Sequence, residues 1–418
     1  MRVLLVVFAL LSLLVPVAAQ TKSDDVVKIT TNLVQVDVVV TNKGKPVPDL
    51  KPEDFEIFED GKLQTITSFA YVSYASNNAG ATDAAGAGPA TSSQTPDTPA
   101  EPNSPTPIPT EIGRRRIAIV VDDYGLSMQS VGDVRRQLRK FIDEQLNPND
   151  LIAIIRTSQA RREMPQLTND KTRINQAWEQ VIWNQCSRVG IKSMPRMSDQ
   201  GQAGCGRGVA SFDESVYSIR AIVTALGQVP GRKAMIIFSE DTPLREDEKL
   251  ARGSSSVMQS SSTSKDSRNY NARLNTLAEL AIRSSIVIYA VDASGLQVIG
   301  VTAADAIANP AISGSRGNGS FVQTLRTQSK LIQSRRDGAS MLAKATGGFL
   351  IRDQNEFQFD KILEDQSGYY VIGYRPTTET FNKQFHKIRA RVKKSGHEVR
   401  TRSGFFGMSE EDAKRLKK

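Results

Sequence analysis

The sequence predicts an α/β protein built on a doubly wound, mostly parallel sheet. An N-terminal β-sandwich-like domain and a C-terminal antiparallel β unit flank it. Three observations carry this. Apolar strand-like runs alternate with helical patterns between residues 114 and 365, as in βαβ units. Near the N-terminus, Leu33-Gln35-Asp37 alternates strictly against Val34-Val36-Val38. At the other end "GYYVIGYRP", "FHKIRARVKK" and "HEVRTRSGFFG" follow one another with no helix between them.

The chain has 418 residues, 39% hydrophobic and 24% charged, enough for about two or three domains. Residues 1–19 read as a signal peptide. Arg2 supplies charge, "VLLVVFALLSLLVPVAA" is apolar, and Val17-Ala18-Ala19 suits cleavage. The run is short for a membrane span, and Pro16 and the small residues favour cleavage over a retained anchor. No later run is long enough to cross a bilayer, so the expected location is secreted or periplasmic.

Residues 27–72 form the small β-rich domain. A turn falls at "NKGKP", and "FEIFEDGKLQTITSF" reads as a hairpin through Asp60-Gly61. Its acidic residues Glu53, Asp54, Glu59 and Asp60 have the chemistry to bind calcium, but turn and cap duty for Asp54 and Asp60 is the preferred reading. Residues 73–113 are rich in Ala, Gly, Ser, Thr and Pro. They cannot bury enough surface to offset ordering entropy and are expected to be a disordered linker.

From 114 to 365 the elements alternate. Ile117–Val121 is a strand, and Val131–Leu146 is a helix with Val134, Leu138, Phe141, Ile142 and Leu146 on one stripe. Leu151–Arg156 is a strand, and Arg161–Leu167 an expected hairpin edge beside it. Ile174–Trp183 and Val216–Leu226 are helical. Ala234–Phe238 and Ile286–Val291 are buried strands, separated by a serine-rich insertion and a helix around Leu274–Ile282. A helix at Gly338–Ala345 is stopped by "TGG", ahead of a strand at Phe349–Ile351 and a helix at Phe357–Leu363. The C-terminal β unit spans 366–407 and a basic tail 408–418.

The two cysteines, Cys186 and Cys205, bracket one irregular segment. In an exported protein a disulfide is the favoured reading, contributing about 3 kcal/mol. The net charge of +9 is read as a solubilising surface. Its basic residues are scattered without interleaved aromatics, so nucleic acid is not an expected partner.

The chemistry is expected at the carboxyl ends of the strands. Three of them run into acidic residues: Asp122-Asp123, Ser239-Glu240-Asp241 and Asp292-Ala293-Ser294. Asp122, Ser127 and Asp241 converge if the first two strands are neighbours. Carboxylates with a hydroxyl suit Mg²⁺ or Ca²⁺. The same aspartates are equally suited to capping the following helices, and spacing alone leaves the two readings level.

"VVDDYGLSM", "GRKAMIIFSED", "SSIVIYAVDASGL" and "LAKATGGFLI" together resemble a von Willebrand factor A domain over residues 114–352. With the flanking β segments, the chain resembles the exported von Willebrand factor A-related proteins known chiefly from acidobacteria. The resemblance implies a Rossmann-like domain and a metal-ion-dependent adhesion site. In that site an aspartate, two serines, a threonine and a second aspartate hold Mg²⁺. Asp122 matches the first aspartate and Asp241 the second. Tyr124 stands at the first serine position, and the second falls on Leu126 or Ser127. No threonine occurs between Cys186 and Asp213, and Thr168 precedes a different helix. The expected site is therefore degenerate, with Asp123 and Tyr124 as accessory positions.

Enzyme motifs are scarce. The two histidines, His386 and His397, are read as facing solvent in the C-terminal unit, and no GxSxG, P-loop or zinc-ligand spacing occurs. Tyr369, Tyr370, Tyr374, Phe405 and Phe406 are read as packing residues. The leading expectation is a non-enzymatic interaction or adhesion protein with a protein partner in the envelope or outside the cell. The alternatives are a cell-envelope hydrolase using Asp122, Asp123 and Asp241, and a purely structural envelope component.

Overall fold

A computed structural model describes residues 33–74, 106–107, 114–160, 166–189, 212–240, 263–295, 336–352, 357–377 and 384–407, with a few isolated positions between them. The expected signal peptide, the basic tail and most of the linker lie outside the described residues.

Two antiparallel sheets come from the two ends of the chain. The N-terminal strands are β1 (Val34–Asn42), β2 (Lys45–Pro46), β3 (Phe55–Glu59), β4 (Lys62–Gln64) and β5 (Ile66–Ser73), followed by the short β6 (Thr106–Pro107). The β1–β2 and β3–β4 turns place Lys43, Gly44, Asp60 and Gly61 at φ of 49°, 85°, 49° and 82°. Positive φ at both central residues is the type I′ geometry that matches strand twist. Asp54 accepts the Lys51 amide at 2.9 Å, so it caps the turn before β3 as expected.

The central strands and helices follow in order. They are β7 (Arg116–Val121), α1 (Met128–Lys140), β8 (Leu151–Arg156), α2 (Lys171–Glu179), α3 (Phe212–Leu226), β9 (Lys233–Ser239), α4 (Thr263–Arg283), β10 (Ile286–Asp292), β11 (Leu350–Ile351) and α5 (Phe359–Asp365). The strands form a parallel sheet in the order β11-β10-β9-β7-β8. Alternate residues of β7 enter different cores. Ile117, Ile119 and Val121 pack with α1 residues Val134 and Leu138. Ala118 and Val120 pack with α3 residues Ile222 and Val223. Strands buried on both faces need apolar residues at every position, and β9 and β10 accordingly read as nearly unbroken apolar runs. The Arg161–Leu167 edge lies mostly outside the described residues; Thr168 makes an isolated antiparallel bridge to Ile152.

The last strands are β12 (Gly368–Tyr374), β13 (Phe385–Val392), β14 (Glu398–Thr401) and β15 (Gly404–Phe406). One antiparallel sheet runs β14-β1-β12-β5-β6, with β2 paired to β1, and β5–β6 is its only parallel pairing. The other runs β15-β13-β3-β4.

This pairing corrects the expected fold class. A doubly wound, mostly parallel, von Willebrand factor A-like fold with an N-terminal β-sandwich is not what the chain adopts. One of its three sheets is parallel and two are antiparallel, and described helices are few. The N-terminal strands do not form a sandwich of their own, nor do the C-terminal strands form a separate unit. The reason lies in β12, whose seven residues are all buried. Tyr370, Ile372 and Tyr374 enter one core, and Tyr369 and Val371 another. Such a strand needs a neighbour on each side, and β1 and β5 supply them: Ile372 pairs with Val36 and with Phe69. Tyr370 packs against Phe55, Phe69 and Tyr71 at ring separations of 4.9, 5.3 and 4.8 Å. Its hydroxyl donates to Val47 O at 2.6 Å and accepts from the Leu50 amide at 3.0 Å. Packing, as expected, accounts for this tyrosine.

Candidate functional site

β7 lies between β8 and β9, so the residue after it can reach groups from both neighbours. That residue is Asp122. Its amide donates to Phe238 O on β9 at 2.9 Å, extending the ladder by one step. Its side chain is buried and surrounded by donors. Oδ1 accepts from Ser215 Oγ at 2.6 Å and Thr157 Oγ1 at 3.1 Å. Oδ2 accepts from Ser239 Oγ at 2.8 Å and Arg188 Nη2 at 2.8 Å. Thr157 follows β8, Ser239 ends β9, Ser215 lies on α3, and Arg188 comes from the loop after α2.

Arg188 is itself buried, and its Nη1 donates to Ser215 Oγ at 2.7 Å. Its position is set by backbone lacing. The Arg188 amide donates to Tyr124 O at 2.9 Å, and Ser187 Oγ donates to Leu126 O at 2.6 Å. Cys186, immediately before, is disulfide-bonded; its expected partner Cys205 lies outside the described residues. Gly125 permits the close approach. A Cβ there would stand 2.2 Å from Arg188 Nη2 and 2.3 Å from Asp122 Oδ2.

Asp123 turns toward the β8 side. Its Oδ1 accepts from Thr157 Oγ1 at 2.8 Å and the Ser158 amide at 2.9 Å. Its Oδ2 accepts from Ser158 Oγ, and Arg156 Nε stands 3.8 Å away. Burial pushes the Asp123 carboxyl above its ordinary value of 3.8, and the Ser158 and Thr157 hydrogen bonds oppose that rise. Adjacent aspartates in a turn diverge, and these two share only the Thr157 hydroxyl.

Ser127 does not join Asp122. It is the N-cap of α1, accepting the Ser130 amide at 3.2 Å. Its hydroxyl and amide both donate to Glu240 Oε1, at 2.6 and 2.7 Å. Tyr124 contributes its carbonyl, and its side chain is half-buried. Asp241 lies outside the described residues. At the third strand end, Asp292 accepts the Ser294 amide at 3.0 Å and Arg336 Nε at 2.7 Å. Each of Asp122, Asp123 and Asp292 therefore faces an arginine.

Spacing in the sequence did not reveal Thr157, Ser158, Arg188 or Ser215. Thr157 was the most accessible of them, because it follows a predicted strand that must neighbour β7. Arg188 carried no signal beyond standing two residues after a cysteine.

The described residues around Asp122, as they are hydrogen-bonded, do not fit Mg²⁺ or Ca²⁺. Such ions need carboxylate and hydroxyl oxygens with free lone pairs. Both oxygens of Asp122 already accept hydrogen bonds, Oδ1 sharing the single Thr157 proton with Asp123, and the Arg188 guanidinium supplies the positive charge. The apolar cavity beside the cluster, walled by Phe212, Val216, Ile219 and Leu277, measures about 20 Å³. That is room for about one water. Among the described residues, no helix is long and apolar enough to cross a membrane. No family model and no curated protein matches the chain.

Proposed function

We propose that the chain is a non-enzymatic, exported interaction protein that uses the carboxyl end of its parallel sheet as a contact face for a protein partner. The carrying observation is the internal neutralisation of Asp122. A carboxylate that activates water must offer a lone pair to it, and Asp122 is buried under four protein donors. Asp123 is buried and engaged in the same way. The polar cluster thus shapes and stiffens the face. Met128, just after the Ser127 cap, and Ile182, two residues before Asn184, are exposed apolar side chains beside it. They offer surface to a partner. The disulfide at Cys186 supports an oxidising compartment, secreted or periplasmic.

The test places a photo-crosslinking residue at Met128 or Ile182 in the source cells, with Leu63 on β4 as the comparison site. The first two positions are expected to give the same discrete protein adduct, and Leu63 none. Hydrolysis of peptidoglycan or polysaccharide by the purified protein, abolished by Asp122→Asn without loss of folding, would replace this reading with the hydrolase.

A further inference from the structure

Glu59, Asp60 and His386 belong to a different sheet from the Asp122 cluster, where the β3–β4 turn meets β13. The expectation that His386 faces solvent is corrected here: it is 4% exposed and stacks on Phe405 at a ring separation of 5.1 Å. Glu59 is 1% exposed. The chain places them by register. Glu59 pairs with Ile388 across the β3–β13 ladder, and Asp60 holds the turn, its amide donating to Lys387 O at 2.9 Å. Asp60 Oδ1 accepts the Lys387 amide at 2.8 Å, which fixes the carboxylate.

The hydrogen bonds restrict how the His386 ring can be protonated. Asn382 Oδ1 accepts the Gln384 amide at 2.9 Å, so that atom is the amide oxygen. His386 Nε2 stands 3.1 Å from the same oxygen and must donate to it. A neutral ring donating there presents its Nδ1 lone pair to Asp60 Oδ2 at 3.0 Å and Glu59 Oε1 at 3.3 Å. In that state three electron-rich atoms face one another, an arrangement that a positive charge between them stabilises.

We propose that Glu59, Asp60 and His386 bind a divalent transition-metal ion of the zinc class. One imidazole nitrogen and two carboxylate oxygens are a favourable donor set for Zn²⁺. Bonds of 2.0–2.1 Å in a tetrahedron put neighbouring ligands about 3.3 Å apart, close to the separations from His386 Nδ1. Asn382 holds the far ring nitrogen, the outer contact that orients a ligating histidine. Asp60 is partly exposed and leaves a route for entry and for a water ligand. The ion ties the β3–β4 turn to β13. It is independent of the contact face proposed above.

The experiment uses the full mature chain without a histidine tag, stripped with chelator and titrated with ZnCl₂ by calorimetry, with unfolding temperature read in parallel. One equivalent is expected to bind with micromolar or tighter Kd and to raise the unfolding temperature reversibly with chelator. His386→Gln should abolish binding. Because that position is buried, the exposed Asn382→Ala is the second variant, and it should weaken binding by about tenfold or more. Absence of saturable Zn²⁺ binding by the folded wild-type protein would overturn the proposal. So would a Kd unchanged in folded Asn382→Ala and His386→Gln. Either result assigns the charge between these atoms to a proton on His386.

Discussion

Replacing Arg188 by Met tests the central feature of the candidate site. Arg188 and Asp122 are 4% and 2% exposed at the side chain and lie 2.8 Å apart. Removing the cation leaves Asp122 with three neutral donors, from Thr157, Ser215 and Ser239. Breaking a buried pair from one side costs about 3–5 kcal/mol, mostly because a buried charge is left uncompensated. The three hydroxyls retain about 1 kcal/mol each and cannot replace the guanidinium. Arg188→Met is therefore expected to lose about 3–5 kcal/mol in urea unfolding, at an unchanged dependence on denaturant. Asp122→Asn removes the orphaned charge, so the Arg188→Met/Asp122→Asn double variant should be more stable than the sum of the single losses predicts, by about 1–3 kcal/mol. The wild-type protein should not respond to Mg²⁺. A loss below about 1 kcal/mol for Arg188→Met, or chelator-reversible stabilisation of wild type by Mg²⁺ that requires Asp122, would refute internal neutralisation.

Gly125→Ala forces a methyl against Arg188 and Asp122. It should cost at least the roughly 1–3 kcal/mol of an overpacked core, measured by thermal unfolding. Asp123 sets a pH dependence. Its folded-state pKa is raised by burial above the ordinary 3.8, so the native state holds the proton more tightly than the unfolded chain. This group's contribution is most favourable below 3.8 and is lost as pH rises from there through the raised folded value. In matched pH–stability curves, the difference between wild type and Asp123→Asn should change across that window and be level above it. Ser127→Ala removes the α1 cap and the hydroxyl that donates to Glu240. It should cost about 1–2 kcal/mol by urea unfolding, and Ser127→Thr should recover most of that.

Local patterns were legible in the sequence where one physical rule dominated. The apolar runs of β7, β9 and β10 could only be buried strands, and the α1 stripe placed Val134, Leu138, Phe141 and Ile142 in the core. Asp60-Gly61 marked its turn because few residues tolerate positive φ twice in succession. Long-range pairing was not legible. β1 and β12 are separated by most of the chain, and nothing in either strand names its partner; only the burial of β12 on both faces requires two neighbours. The surroundings of Asp122 were hidden for the same reason. Asp122 was found because it ends a strand. Arg188 sits in an irregular loop whose path is set by hydrogen bonds to Tyr124 and Leu126, contacts without periodicity. For Ser127 the sequence left cation binding and helix capping level; in the structure it caps α1 and turns its hydroxyl to Glu240.

The two acidic clusters show opposite treatments of the same electrostatic problem. Buried carboxylates need a counter-charge. At the end of the parallel sheet the chain carries its own in Arg188, held by a loop that a disulfide and two backbone contacts fix in place. A guanidinium cannot leave or exchange, so that charge balance does not vary with metal supply, which suits a contact face of constant shape. At the β3–β13 corner, one His386 ring nitrogen faces Glu59 and Asp60 and the other faces Asn382 Oδ1. The neighbouring basic side chain, Lys387, offers its backbone amide to Asp60 at 2.8 Å. The proposed metal ion, taken from solution, could be withdrawn again, and the corner's stability should then depend on metal supply. The sequence left Asp122 level between cation binding and helix capping, whereas Glu59, Asp60 and His386 are the described residues whose donors could hold a metal ion.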